Sequence, residues 1–154
     1  MLFRSAQSAI ASLDGNDRLY GSDARDYLFG GNGNDRISAQ GGDDLIFGDN
    51  GQIVFVNSIA QRLRSTDEAG GLDTVEGGSE ADVILGGDQG DRLSGGQDDD
   101  VIMGDQGYVD FVYAGDARVG TDRNAATIDF VSTTTSTRGG NDLIYGNEIG
   151  RAHV

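Results

Sequence analysis

Eight aspartates recur at a step of nine residues in this chain: Asp17, Asp26, Asp35 and Asp44 in one run, Asp73, Asp82, Asp91 and Asp100 in a second. Each stands in a glycine-rich turn, and two positions later comes Leu19, Leu28, Ile37, Ile46, Val75, Ile84, Leu93 or Ile102. Carboxylates repeated at a fixed step, without matching bases, have the chemistry of a hard-cation site. Calcium takes about six to eight oxygens at flexible geometry, from carboxylates and main-chain carbonyls. A lone Gly-Asp turn is usually an Asx-turn. Eight in register favour a ligand role over the alternative, a metal-free solenoid whose aspartates only cap turns. No catalytic constellation accompanies them. The single histidine, His153, has no identifiable partner, cysteine is absent, and the hydroxyl run at 132–137 lacks a G-x-S-x-G elbow.

The elements that must position these aspartates are legible from the period. Residues 77–103 read GGSEADVIL, GGDQGDRLS, GGQDDDVIM. Each unit supplies one turn and one short strand, and cannot bury its apolar residue alone, so the units must stack. The expected class is all-β. A longer period lies above the short one, because the first four aspartates map onto the second four with a constant offset of 56. Asp142, in GGNDLIY, stands apart. From there GGNDLIYGNEIGRAHV repeats GGDDLIFGDNGQIVFV with one residue inserted. The chain is therefore expected to stop inside a third arm, as a fragment of a longer array or a subunit completed by its neighbour.

The expected organisation is a lead-in at 1–13, assigned to no element, then a repeat block at 14–47 and an excursion arm at 48–67. A second block at 68–103, a second arm at 104–138 and the start of a third unit at 139–154 follow. Block strands are three residues long with the middle residue inward, as period two requires. Strands one and three of each block carry polar outward flanks (Arg18, Arg36, Ser38, Thr74, Glu76, Arg92, Ser94), with Tyr20 discordant. Strands two and four carry Tyr27, Phe29, Leu45, Phe47, Val83, Leu85, Val101 and Met103, and Leu143 and Tyr145 match them. One sheet should face water. The other is apolar on both faces and needs a cover, from the arms or from a neighbouring copy. Arm strands are expected at 52–57, 61–65, 108–114 and 126–135, with the second arm turning within 115–124.

Composition fits order conditional on a cation. Formal charge is -15, from 26 acidic and 11 basic residues, with 26 glycines, no proline and 36% hydrophobic residues. About seven or eight divalent ions would neutralise it. No basic patch exists for nucleic acid. No run is long enough for a membrane helix, and the opening MLFRSAQSAIAS lacks the apolar stretch of a signal peptide.

The repeated units resemble the G-G-x-G-x-D-x-U-x nonapeptide of repeats-in-toxin (RTX) proteins. The resemblance implies a right-handed parallel β-roll, a β-helix solenoid in which two nonapeptides make one coil and alternate strands join opposite sheets. It implies several Ca2+ ions in the turns, each between one turn and the turn two repeats on. Carried over, the sites are Leu13, Gly15 and Asp17 with Gly30, Asn32 and Asp35, then Ser22, Ala24 and Asp26 with Ala39, Gly41 and Asp44. In the second block they are Ala69, Gly71 and Asp73 with Gly86, Asp88 and Asp91, then Gly78, Glu80 and Asp82 with Gly95, Gln97 and Asp100. Half-sites would set Gly31, Gly33 and Asp35 against Gly48 and Asn50, and Gly87, Gln89 and Asp91 against Gly104 and Gln106. There Ile53 or Val109 replaces one carboxylate. Asp35 and Asp91 would each touch two ions, whereas Asp17 and Asp73 open their blocks. Departures from glycine fall at Ala24, Glu80, Gln89 and Asp98, and at Leu13, Ser22, Gln40 and Ala69, where the turn would be strained or would bind more weakly.

The resemblance further implies type I export through a C-terminal signal and an extracellular or cell-surface location. The function expected is a non-enzymatic structural or adhesive module of a surface protein, surface layer or filament, with self-association between copies or units. The alternative is the export and folding module of a secreted toxin, protease or lipase. Ice binding would call for a regular threonine array that the outward residues do not form.

Overall fold

The computed structural model describes residues 8–11, 14–66, 69–111, 128, 130–134 and 138–146. Among these residues the strands are β1 (Ser8–Ala11), β2 (Arg18–Tyr20), β3 (Asp26–Phe29), β4 (Arg36–Gly41), β5 (Leu45–Phe47), β6 (Gly51–Val56) and β7 (Ile59–Ser65). They continue as β8 (Thr74–Ser79), β9 (Val83–Leu85), β10 (Arg92–Gly96), β11 (Val101–Met103), β12 (Gly107–Asp110), β13 (Phe130–Thr133) and β14 (Leu143–Tyr145). No helix occurs among the described residues, and so none long and apolar enough to cross a membrane.

Two five-stranded sheets hold the repeat strands, in the orders β1-β3-β5-β9-β11 and β14-β10-β8-β4-β2, and every pairing within them is parallel. The first arm is looped out of this stack without interrupting it. Arg36 pairs with Thr74 and Leu45 with Val83, so strands 38 residues apart are direct neighbours. Between the sheets lie Leu19, Leu28, Ile37, Ile46, Val75, Ile84, Leu93 and Ile102, all buried, with Ile144 at the margin. These are the middle residues of the expected three-residue strands, but β3 has four residues, β10 five and β4 and β8 six, so that length needs correction: the pairing of β4, β8 and β10 runs on into the following glycine turn. Each fully buried aliphatic contributes about 1.5–3 kcal/mol, and the core is one side chain wide.

The arms build a third sheet, antiparallel, in the order β13-β12-β7-β6. It covers the apolar outer face of the first parallel sheet. Tyr27, Leu45, Phe47, Val83, Leu85 and Met103 are buried there against Ala60, Leu63 and Val109. Phe29 stacks on Phe47 at 4.9 Å, and Tyr27 meets Phe55 edge-on at 5.3 Å. The cover is thus the chain's own. The second arm's strands are seen as β12 and β13, and residues 112–127, including the expected turn at 115–124, lie outside the described residues.

Two further expectations need correction. Leu143 and Tyr145 do not join the covered stripe. β14 pairs with β10 in the other sheet, leaving Leu143 47% and Tyr145 44% exposed, with the Arg92 guanidinium 4.9 Å above the Tyr145 ring. The reason is topological. Each arm leaves from the covered sheet and returns to the other one, so position after the arm, not likeness to LIF, assigns the strand. The lead-in, assigned to no element from sequence, supplies β1, which pairs with β3 and places Ser8 opposite Asp26.

Candidate metal centre

The turn aspartates form two ladders along the stack. In one, the Asp17 N–H donates to Asp35 Oδ1 (2.7 Å), Asp35 N–H to Asp73 Oδ1 (2.8 Å), Asp73 N–H to Asp91 Oδ1 (2.9 Å) and Asp91 N–H to Asp142 Oδ1 (2.8 Å). In the other, the Asp26 N–H donates to Asp44 Oδ1 (2.7 Å), Asp44 N–H to Asp82 Oδ1 (2.9 Å) and Asp82 N–H to Asp100 Oδ1 (3.0 Å). Asp73 therefore does not open a block; it stands mid-ladder. Asp142 does not stand apart either, because it follows Asp91.

Each carboxylate after the first in its ladder spends one oxygen on it, and Asp26 Oδ2 accepts instead from the N–H of Ser22 (2.6 Å) and its hydroxyl (3.0 Å). The second oxygens of Asp35, Asp44, Asp73, Asp82, Asp91 and Asp100 are buried without a hydrogen-bond partner. Repeated six times, that is costly for a polar atom with no ligand role. Main-chain carbonyls lie beside four of these oxygens. A Cβ placed on Gly48 would sit 2.5 Å from both Asp73 Oδ2 and the Gly86 carbonyl. In the same way Gly30 adjoins Asp35 Oδ2 and the Gly48 carbonyl, Gly77 adjoins Asp82 Oδ2 and the Gly95 carbonyl, and Gly86 adjoins Asp91 Oδ2 and the Gly104 carbonyl. Gly21 adjoins Asp26 Oδ2 and the Ala39 carbonyl. A side chain there would fill the space on which these oxygens converge. Among the described residues no three acidic, histidine or cysteine side chains form a metal cluster. The oxygens that converge at these glycines are carboxylate and carbonyl, a donor set that suits calcium rather than zinc.

The remaining expected positions are placed as follows. Gly15, Gly33 and Gly71 stack, each carbonyl against the next glycine. Gly31 N–H donates to the Asp49 carbonyl (3.3 Å), Gly87 N–H to the Gly104 carbonyl (2.9 Å) and Gly41 N–H to the Ser22 carbonyl (3.1 Å). The Gly78 carbonyl accepts from the N–H of the exposed Gln97 (2.8 Å). Asn50 Nδ2 donates to Asn32 Oδ1 and Asn32 Nδ2 to Asp14 Oδ1, both at 2.7 Å, a side-chain ladder of their own. Asp88 is buried, with Gln106 Nε2 donating to it at 2.6 Å and Arg138 Nη1 at 3.5 Å. Gln40, Glu80, Gln89 and Asp98 have φ of 80°, 74°, 67° and 73°, the left-handed region that favours glycine. Each such residue costs about 1–2 kcal/mol. Ser22, Ala24 and Ala69 are not at positive φ, so the strain expected there is absent, and Leu13 lies outside the described residues.

Asp49 and Asp105 were not singled out from sequence. Asp49 accepts the N–H of Gly71 (2.9 Å) and of Asp88 (2.5 Å), and Asp105 accepts the N–H of Gly140 (3.1 Å). Both are the second residue of the Gly-Asp-x-Gly turn that opens an arm, and each reaches past its own arm to tie down a turn of the unit that follows. The shared GDxG was the available signal.

Burial sets the protonation of these groups. Asp73, Asp82 and Asp91 are pushed up to about 8 and Asp44 to about 7, first by desolvation and then by neighbouring carboxylates, against the lowering effect of the donated amide. Asp35, Asp100 and Asp142 are raised for the same first reason. A carboxyl raised in the fold stabilises it fully below the unfolded value near 4, and that contribution disappears as pH rises through the folded value. The metal-stripped chain should accordingly hold more β-structure near pH 4–5 than near pH 8. Circular dichroism of metal-stripped protein across that window checks this, and β-structure that grows with pH would contradict it.

The family described as RTX calcium-binding nonapeptide repeat (4 copies) matches residues 10–37, 20–52 and 76–108. A search of curated proteins finds no match to the chain.

Proposed function

The chain belongs to the RTX calcium-binding nonapeptide repeat family, and from that premise we propose that it is a calcium-rigidified structural module, a right-handed parallel β-roll with covering arms, of an exported bacterial surface or filament protein. One observation carries the calcium reading: six buried carboxylate oxygens without partners, four of them, on Asp35, Asp73, Asp82 and Asp91, with a main-chain carbonyl beside them. Asp26, Asp35, Asp44, Asp73, Asp82, Asp91 and Asp100 would hold the ions, with the carbonyls of Ala39, Gly48, Gly86, Gly95 and Gly104. The bound ions supply positive charge that lets the carboxylates stay ionised inside the turns. The side chains do the rest: Oδ1 fixes the spacing of successive coils through the ladder, and Oδ2 faces the ion.

A load-carrying or spacing role is supported by the regularity of the stack and by an arm that follows each repeat block and braces one face. The proposed module is non-catalytic and works outside the cell, where calcium is abundant enough to keep it folded. Calorimetric titration of the chain is expected to show several saturable calcium sites and much weaker magnesium binding, because magnesium demands stricter octahedral geometry and gives up water reluctantly. Failure to bind calcium saturably up to the millimolar range would remove the basis of the proposal.

A further inference from the structure

We propose that the outer edge of β6 is a docking site for the same edge of a second copy, joining two arm sheets into one antiparallel sheet. This goes beyond the calcium reading, since it concerns a surface away from the turns.

Within the described residues the arm sheet ends at β6. The sheet is already assembled by edge-to-edge pairing between units: β7 of the first arm pairs with β12 of the second, Leu63 opposite Val109. Ile53, Leu63, Val109 and Val131 form one cross-strand row, and Ile53 is its open end. Ile53 is half-buried while Leu63 and Val109 are fully buried. The 56-residue offset places Ile53 where Val109 stands, and Val109 has a strand on each side.

Exposed edges are normally blunted by charge or proline. Residues 50–61 contain neither and form the longest uncharged run of the chain. Val54, Val56 and Ile59, exposed by 43%, 46% and 51%, lie along this edge and its hairpin tip. The register irregularity between Val54 and Phe55 is the one feature that disturbs the edge, so the pairing is placed on residues 51–54. An antiparallel contact of one edge with itself is isologous and closes as a dimer, unlike a head-to-tail contact.

The test uses the full chain in millimolar calcium. Sedimentation equilibrium should show mass approaching twice 16.1 kDa. Val54→Lys should weaken dimerisation by about tenfold or more, with calcium stoichiometry and circular dichroism unchanged. The chain has no cysteine, so introduced thiols report cleanly: with Ile53 opposite its own copy, Gln52 of one chain faces Val54 of the other, and a mixture of Gln52→Cys and Val54→Cys chains should form mixed disulfide-linked dimers on mild oxidation, whereas Tyr20→Cys, on an exposed strand elsewhere, should not. A chain that stays monomeric at about 100 μM, or a dimer that survives Val54→Lys and cross-links equally through Tyr20→Cys, would overturn the proposal. Because calcium binding is followed in parallel, loss of the dimer and loss of the calcium sites are read separately.

Discussion

Removing calcium should abolish most of the β-structure. Six buried Oδ2 atoms have no hydrogen-bond donor, and leaving an ionised carboxylate buried and unpaired costs at least about 1–3 kcal/mol each. Whole-domain stabilities are only about 5–15 kcal/mol, so six such groups are enough to consume the margin. Protonation relieves part of the cost, since at neutral pH Asp44, at about 7, is only half ionised and Asp73, Asp82 and Asp91, at about 8, are mostly protonated, but a protonated carboxyl still leaves its buried polar atoms unpaired. The opposing term is a thin core, one row of eight aliphatics between two sheets. Ligands that bind the fold and not the coil stabilise it by mass action. Far-ultraviolet circular dichroism in EGTA at neutral pH should show little sheet, restored at millimolar calcium. Superimposable spectra in the two conditions would show that the carboxylates are satisfied some other way.

The second large effect is expected at Asp73. Asp73→Ala removes the Oδ1 that accepts the Asp35 N–H and the Oδ2 that faces the Gly86 carbonyl across Gly48. A buried amide is left unpaired and the sites on either side lose a carboxylate, so in saturating calcium the fold should lose about 2 kcal/mol or more. Stoichiometry should fall by about one or two ions. Asp91→Ala, also mid-ladder, should behave alike, whereas Asp17→Ala should do less: Asp17 is first among the ladder aspartates and less buried. Calorimetric ion counts and calcium-dependent melting for the three variants decide this. Equal losses at Asp17, Asp73 and Asp91 would mean that ladder position does not matter.

Reading Asp73 as a block opener was the natural inference from sequence, and it shows where sequence alone stops. The nine-residue period determined which aspartates line the turns and which aliphatics fill the core, because both follow from one local rule: a turn, then a short strand whose residue two places after the aspartate points inward. It also determined the apolar flanks of alternate strands, and hence that one sheet must be covered. What covers it was a tertiary matter, since the stripe and the arms have the same chemistry whether they meet within a chain or between chains. Only folding shows that the arms leave the stack and let Asp35 meet Asp73 across 38 residues, which turns two short runs into continuous ladders. The same long-range closure puts Tyr145 beside Arg92 and brings Asp49 to the amides of Gly71 and Asp88. β1 was illegible because Ser8 pairs where an aspartate usually stands and no glycine turn precedes it. Local periodicity specifies a repeat's turn and strand, but the partner of each strand is set by the path of the chain between repeats, and no nine-residue window contains that path.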